Sequence, residues 1–215
     1  MAIRIAKEFS DSDVVNLGIG IPTLVSSYVP EEVTIIFHTE NGALGFGPVV
    51  TADEETEKAD IDLINAGGQY ITPLPGMCFF HHADSFGIIR GGHIDISVLG
   101  AFQVSEKGDL ANWLFPVRGV GNIGGGMDLA LGAKKLIIAM EHTTKSGELR
   151  LLKQCTYPLT AKECVNLIVT DLGVIEVTPD GFLLKEIIPG WTLEEVQELT
   201  EARLLVSPEL KEVEF

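Results

Sequence analysis

Thr39-Glu40-Asn41-Gly42, with Gly45 and Gly47 just behind and Pro48 closing the run, places a carboxylate in a turn of small residues. The preceding Thr34-Ile35-Ile36-Phe37 reads as a strand, so Glu40 falls where a buried strand emerges into a loop. Loops at strand ends carry much of the chemistry of α/β proteins. Glycines there let the backbone approach a ligand closely or take positive φ. A carboxylate placed there is a candidate functional group. A solvated glutamate opening a turn has the same local sequence, and this segment alone does not separate the two.

A second glycine-rich segment competes for attention. Gly119-Val120-Gly121-Asn122-Ile123-Gly124 matches G-x-G-x-x-G, the stretch from Met127 to Lys134 is helix-like, and Glu141 falls near the place of a ribose-binding acid. That pattern is the basis of an alternative function, a nicotinamide-dependent oxidoreductase. Two features weigh against it. Pro116 interrupts the segment where a central strand would have to donate hydrogen bonds. The motif also lies past the midpoint, with little chain left for a second mononucleotide half. On either reading, Gly124-Gly125-Gly126 before a helix offers main-chain N–H groups to a phosphate or an oxyanion.

The elements that must position these residues are legible from periodicity. Residues 2–9 have helical apolar spacing, and Val14-Val15-Asn16-Leu17 reads as a buried strand running into Gly18-Ile19-Gly20-Ile21-Pro22, with a helix expected from Thr23. Further strands are expected over Ile94–Leu99, Leu136–Met140, Asn166–Thr170 and Val174–Val177. A hairpin through Pro179-Asp180-Gly181 should return over Gly181–Glu186. Thr192 to Thr200 is an N-capped amphipathic helix, and Leu204-Leu205-Val206 is expected to end the ordered chain. Residues 52–60 form an acidic run expected to be a mobile surface excursion. With no internal repeat or linker, residues 1–215 are expected to form a single α/β domain.

Composition narrows the partners. The 215 residues suffice for an ample core, and 46% of them are apolar, which argues against disorder. A net charge of −16 disfavours nucleic acid and anionic membrane as partners, so any anionic ligand must be held by local groups. Cys78, Cys155 and Cys164 are odd in number and contain no C-x-x-C pair, which suggests reduced core thiols and a cytoplasmic setting. Neither a signal peptide nor an apolar run of membrane-spanning length is expected. His93 and Asp95 share a strand face and read as a structural pair, and His81-His82 with Asp84 reads as loop residues; no metal site is expected.

Taken in order, a larger set of blocks resembles the β subunit of family I CoA-transferases of the 3-oxoacid (acetoacetate/butyrate) type. They are Asn16–Val25, Glu40–Pro48, Ile64–Gly68, Leu74–Gly76, Ile89–Gly100, Gln103-Val104, Gly108–Trp113, Gly124–Leu129 and Met140–His142, spread over nearly the whole chain. The sequence departs from the family pattern beside the expected site. Thr39 stands for the usual Ser, Pro116-Val117-Arg118-Gly119 for Pro-Gly-Lys-Met, and Asn122-Ile123-Gly124-Gly125-Gly126 for Gly-Met-Gly-Gly-Ala. These changes bear on acyl specificity more than on the chemistry.

The resemblance implies a three-layer α/β/α fold and a ping-pong transfer of CoA between an acyl-CoA and a free carboxylic acid through a glutamyl-CoA thioester on Glu40. It further implies oxyanion donors from the main-chain N–H groups of Asn16 and Gly125. Gly18, Gly20, Asn41, Gln103, Gly124 and Lys145 are the expected substrate- or CoA-binding positions. Gln103 and Lys145 have equally ordinary structural readings, and Asn41 is expected to fix the turn that aims Glu40. Coenzyme A is then a substrate and no permanently bound cofactor is expected. A separate α subunit, in an α2β2 assembly, is the expected partner. An acyl-CoA hydrolase of the same fold and a non-catalytic scaffold subunit stay open.

Overall fold

The computed structural model describes residues 1–50, 59–116 and 119–214, and the acidic run at 52–60 falls almost wholly outside them. Five parallel strands make the centre: β1 (Val14–Leu17), β2 (Ile36–Thr39), β5 (Ile94–Leu99), β10 (Ala133–Ala139) and β12 (Leu167–Val169). Antiparallel strands extend them at both edges. On one side lie β3 (Ala43–Phe46) and β4 (Cys78–Phe79); on the other lie β13 (Gly173–Thr178) and β14 (Gly181–Ile187), to which β15 (Leu205–Glu212) adds in parallel. The described sheet therefore runs β15-β14-β13-β12-β10-β5-β1-β2-β3-β4. Two small sheets sit apart, one of β6 (Gln103–Ser105), β7 (Leu110–Ala111) and β11 (Leu151–Leu152), the other of β8 (Leu114–Phe115) and β9 (Val120–Gly121).

Strand alternation splits the core in two. Leu136 and Ile138 of β10 face one cluster, while Ile137 and Ala139 face the other. Helices α2 (His82–Arg90), α3 (Gly126–Gly132) and α4 (Leu193–Glu198) cover the first face through Ile89, Leu129 and Val196. Helix α1 (Ala2–Ala6) and a 3-10 helix at Ile21–Tyr28 cover the second through Ile5 and Val25. The result is the expected three-layer α/β/α arrangement. Helix α4 begins on the expected cap: the Thr192 side chain accepts from the Glu195 N–H, and the Glu195 carboxylate accepts from the Thr192 N–H.

Three expectations need correction. The chain does not lose order after Val206: β15 runs to Glu212, and Val213 is buried. The helix expected from Thr23 is a 3-10 helix that already starts at Ile21. The glycine-rich run after Glu40 is a strand, β3, so Glu40-Asn41-Gly42 is the turn of a β2–β3 hairpin. Gly42 has φ +115, and a Cβ there would overlap the Phe80 carbonyl oxygen.

Candidate active site

The carboxyl ends of β1, β2 and β5 converge, and the chain leaves β1 toward β2 on one side and leaves β5 toward β10 on the other. This is the switch point where open α/β sheets leave a crevice. A cavity of about 610 Å³ lies there, lined by Asn16 to Ile19 at the end of β1, Thr39 and Glu40 at the end of β2, Leu99 to Phe102 at the end of β5, and Asn122 to Gly126 leading into α3.

Three contacts fix the Glu40 turn. Thr39 Oγ1 accepts from the Ala66 N–H at 2.8 Å, and Asn41 Nδ2 donates to the Ile64 carbonyl at 2.8 Å, so one loop holds both neighbours of Glu40. His82 Nδ1 lies 2.9 Å from the Glu40 carbonyl oxygen, which can only accept, so the proton is on Nδ1. The His82 ring meets Phe86 edge-on with centroids 4.9 Å apart. Burial, the largest influence, raises the Glu40 carboxyl above the usual glutamate range; nearby His82 opposes the shift and Asp128 adds to it. Asp128 is in turn paired with Arg90 at 2.7 Å.

Gly125 sits directly against this carboxylate. A Cβ on Gly125 would overlap Glu40 Oε2 and lie 3.0 Å from Phe86 Cζ. The Gly125 N–H has no hydrogen-bond partner among the described residues, whereas Gly124 N–H is held by Asn122 Oδ1 at 3.0 Å and Gly126 N–H by the Ile123 carbonyl at 2.9 Å. Asn16 contributes differently. Gly18 N–H donates to the Val98 carbonyl, and alternate residues of a strand send their N–H groups to the same side, so the Asn16 N–H faces β5 within the sheet.

Of the other expected positions, Gly18 and Gly124 line the cavity and Gly20 does not. Gly20 precedes the 3-10 helix with φ +93. Gln103 is committed elsewhere: its Oε1 accepts from the Thr156 and Tyr157 N–H groups at 2.8 and 3.0 Å. Lys145 is exposed on the turn after β10 and away from the cavity lining. The structure adds Phe86, Asn112 and Ala66 at the site and His38 beneath it, and it places His82 and Asp84, expected in a loop, in helix α2, with His82 against the Glu40 turn. The spacing of His82, Ser85 and Phe86 on one helical face was the available signal.

Elsewhere the expected histidine and cysteine groupings come apart. His81 caps α2 by accepting from the Ala83 N–H, and Asp95 pairs with Lys134 and the Val14 N–H rather than with His93. Cys155 and Cys164 have thiols pushed up to about 12, chiefly by burial, which leaves little thiolate at neutral pH. Cys78, expected in the core, is exposed on β4. The Gly119–Gly124 segment follows β8 in a two-stranded ribbon and not a central parallel strand, so the strand–turn–helix context of a dinucleotide fold is absent there. No helix among the described residues is long and apolar enough to cross a membrane.

An α/β sheet with a half-buried carboxylate at its switch point, packed against a glycine whose main-chain N–H is unpartnered among the described residues, has the parts of an acyl-transfer site with a carboxylate nucleophile. Residues 1–199 match the family model described as Coenzyme A transferase, and the chain belongs to that family. It is 48% identical over 206 residues to the B-type subunit of 3-oxoadipate CoA-transferase from Acinetobacter baylyi, covering 95% of this chain and 93% of that one. The beta subunit of acetate CoA-transferase from Escherichia coli is 48% identical over 210 residues, covering 98% and 94%. The B-type subunit of a probable succinyl-CoA:3-ketoacid coenzyme A transferase from Bacillus subtilis is 47% identical over 207 residues, covering 96% and 94%. Among solved structures, the apoenzyme of the E. coli O157:H7 acyl-CoA transferase YdiF overlays with a TM-score of 0.77 at 20% identity, across 99% of this chain and 43% of that chain. Glutaconate coenzyme A-transferase of Acidaminococcus fermentans overlays with a TM-score of 0.70 at 19% identity, across 99% and 86%. At such identities the overlays show the fold alone; the sequence relatives make the chain a CoA-transferase of the β-subunit kind.

Proposed function

We propose that this chain carries the nucleophile of a CoA-transferase acting on short-chain or 3-oxoacyl thioesters, and that Glu40 is that nucleophile. The observation that carries the reading is the half-buried Glu40 carboxylate packed against Gly125, whose N–H has no partner among the described residues. The Glu40 carboxylate attacks the acyl-CoA carbonyl, the C–S bond breaks, and a mixed anhydride forms as CoA thiolate leaves. The thiolate then attacks the Glu40 carbonyl, which gives a glutamyl-CoA thioester and frees the first acid as its carboxylate. The acceptor carboxylate runs the two steps in reverse. No net proton moves and the thioester's free energy is retained.

Each addition builds an oxyanion, and a fixed N–H donor at such a position is worth about 3 kcal/mol of barrier. Gly125 is the main-chain candidate within this chain. Partial burial raises the energy of the Glu40 anion and favours its acylation. Gly18 and Gly124 keep the walls near Glu40 thin, and Lys145 is left as a solvent-side contact for a CoA phosphate. The names of the relatives, which mark them as one of two kinds of subunit, support a separate α subunit. On our reading that subunit completes the pocket and the assembly is α2β2. An acyl-CoA hydrolase would use the same adduct with water as acceptor, so the two differ in how well the assembled site excludes water. A cytoplasmic setting fits the half-buried, unpaired thiols of Cys155 and Cys164.

The test is intact mass spectrometry of the chain co-expressed with a CoA-transferase α subunit and given acetoacetyl-CoA without an acceptor acid. A gain equal to CoA minus water, absent in Glu40→Ala, is the expected result. Thioester turnover with no adduct on this chain would overturn the assignment.

A further inference from the structure

Beneath Glu40 lies a polar row that the transfer chemistry does not use. The parallel register sets Ser97, Asn16 and His38 side by side on β5, β1 and β2, on the face covered by α2. His38 is 1% exposed, Asn16 3% and Ser85, on α2, 0%. Asn16 Nδ2 is 2.9 Å from His38 Nδ1 and 3.2 Å from the His38 carbonyl oxygen. The carbonyl can only accept, so the Asn16 atom facing both is the amide nitrogen and His38 Nδ1 carries no proton. The imidazole proton is then on Nε2, which donates to Ser85 Oγ at 2.9 Å. Ser85 Oγ–H is left to donate to the Thr39 carbonyl at 3.5 Å.

The proton order is thereby set along the whole chain of groups, from Asn16 to the Thr39–Glu40 peptide. One end lies at the carboxyl end of β1, the other one bond from the residue that carries the carboxylate. The Phe80 ring stacks on the imidazole, 6.0 Å between centroids and 16° between planes, and closes it from solvent. His38 is buried and does not line the cavity, so it is screened from a ligand there.

We propose that His38 is a positioning residue for Glu40. Its imidazole, accepting from Asn16 and donating to Ser85, ties the end of β1 and helix α2 to the Thr39–Glu40 peptide and holds the carboxylate over Gly125 through both acyl-transfer steps. A neutral imidazole is required, because a protonated Nδ1 cannot accept from Asn16, and burial holds His38 neutral by pushing it down to about 4. An aliphatic side chain would fill the space but leave the Asn16 amide and Ser85 hydroxyl without partners. A misplacement of about 1 Å at the nucleophile can cost about 10²-fold in rate.

This inference rests on Glu40 being the nucleophile, and the experiment separates the two. In the assembled α/β complex, adduct formation from acetoacetyl-CoA is followed by rapid quench and intact mass, with acyl-CoA affinity and thermal melts measured alongside. Wild type that forms no adduct overturns the Glu40 reading itself. Given a wild-type adduct, His38→Leu is expected to slow its formation about 10²-fold with acyl-CoA affinity within about threefold. His38→Gln, whose amide offers one acceptor and one donor, is expected to recover most of the rate. A His38→Leu complex that melts cooperatively and acylates at the wild-type rate would overturn the proposal, as would a His38→Gln complex no faster than His38→Leu. Should His38→Leu fail to fold, Ser85→Ala decides: a rate reduced at least about tenfold supports the positioning role and a wild-type rate overturns it.

Discussion

Glu40 Oε2 occupies the space that a Cβ on Gly125 would fill. The glycine is required by the neighbouring carboxylate and not by its own backbone, since its φ of −83 and ψ of 3 are open to alanine. Gly125→Ala should therefore leave the fold intact and move the carboxylate. The expected result is a melting temperature within about 2 °C of wild type, with glutamyl-CoA formation slowed about 10²-fold. Equal losses in rate and in melting temperature would mean that the methyl group disturbs α3 instead of Glu40.

The ionisation of Glu40 should set the acid limb of the rate. Burial and Asp128 hold its carboxyl above the ordinary range, so the activity of the assembled enzyme should begin to fall at a higher pH than a free glutamate would give. Asp128→Asn removes the repelling charge and leaves the Arg90 charge uncompensated, and both effects lower the Glu40 pKa. The acid limb of kcat/KM should shift to lower pH in that variant. A shift to higher pH would show that Asp128 acts on Glu40 by some route other than its charge.

Much of this was legible in the sequence, and the rest was hidden for identifiable reasons. Thr192 and Glu195 announced the start of α4, and Pro179-Asp180-Gly181 the β13–β14 hairpin, because both signals are local. Strand β3 was masked by Gly45, a residue that ordinarily weakens strands. Strand β15 carries Glu209, Lys211 and Glu212 with Pro208, which reads as a polar tail but suits an edge strand. Gln103 follows a confident strand and looked available to substrate; only the fold brings the Thr156–Tyr157 segment to it, 53 residues on. His38 carried no sequence signal, since its role depends on the β1–β2 register and on Ser85, 47 residues away.

Two buried imidazoles should make the fold sensitive to moderate acid. His38 and His142 are both pushed down to about 4 by burial, and His142 is held between Thr170 Oγ1 at 3.0 Å and Thr200 Oγ1 at 2.9 Å. Their folded pKa lies below the unfolded value of 6.5, so between those limits the unfolded chain binds more protons. Stability is fully present above about pH 6.5, falls as pH drops toward 4, and stops responding to these two groups below it. Each imidazole should contribute a slope of roughly 1.4 kcal/mol per pH unit within the window. Urea unfolding of His142→Asn between pH 6.5 and 4.5 should show about half of the wild-type histidine slope. An unchanged slope would mean that His142 does not stay neutral in the fold.

The helix α4 cap supplies a change that should touch stability alone. Thr192 Oγ1 accepts from the Glu195 N–H at 3.2 Å, and neither residue lines the cavity beside Glu40. Thr192→Ala should cost about 1 kcal/mol, which for a chain of this length lowers the melting temperature by about 2–4 °C. The rate of thioester formation at 25 °C should stay at the wild-type value. A slowed rate would show that α4 is coupled to the cavity through Val196 and the core it shares with Leu129.

Arg4 ties helix α1 to β14 across the second face of the sheet. Its Nε and second terminal nitrogen reach the Glu186 carboxylate at 2.7 and 2.8 Å, and the other terminal nitrogen reaches Glu8 at 2.7 Å. The Arg4 and Glu186 side chains are 12% and 8% exposed, so removing one partner leaves a charge with little water to turn to. Loss of a buried partner typically costs about 3–5 kcal/mol, and Glu8 still faces Arg4, so Glu186→Ala should cost about 3 kcal/mol. Replacing both charges with apolar groups removes the desolvation penalty along with the attraction. The double variant Arg4→Met with Glu186→Leu should therefore recover most of that loss. A double variant as unstable as Glu186→Ala, measured by urea unfolding at pH 7, would mean that the bridge contributes net stability instead of only satisfying two buried charges.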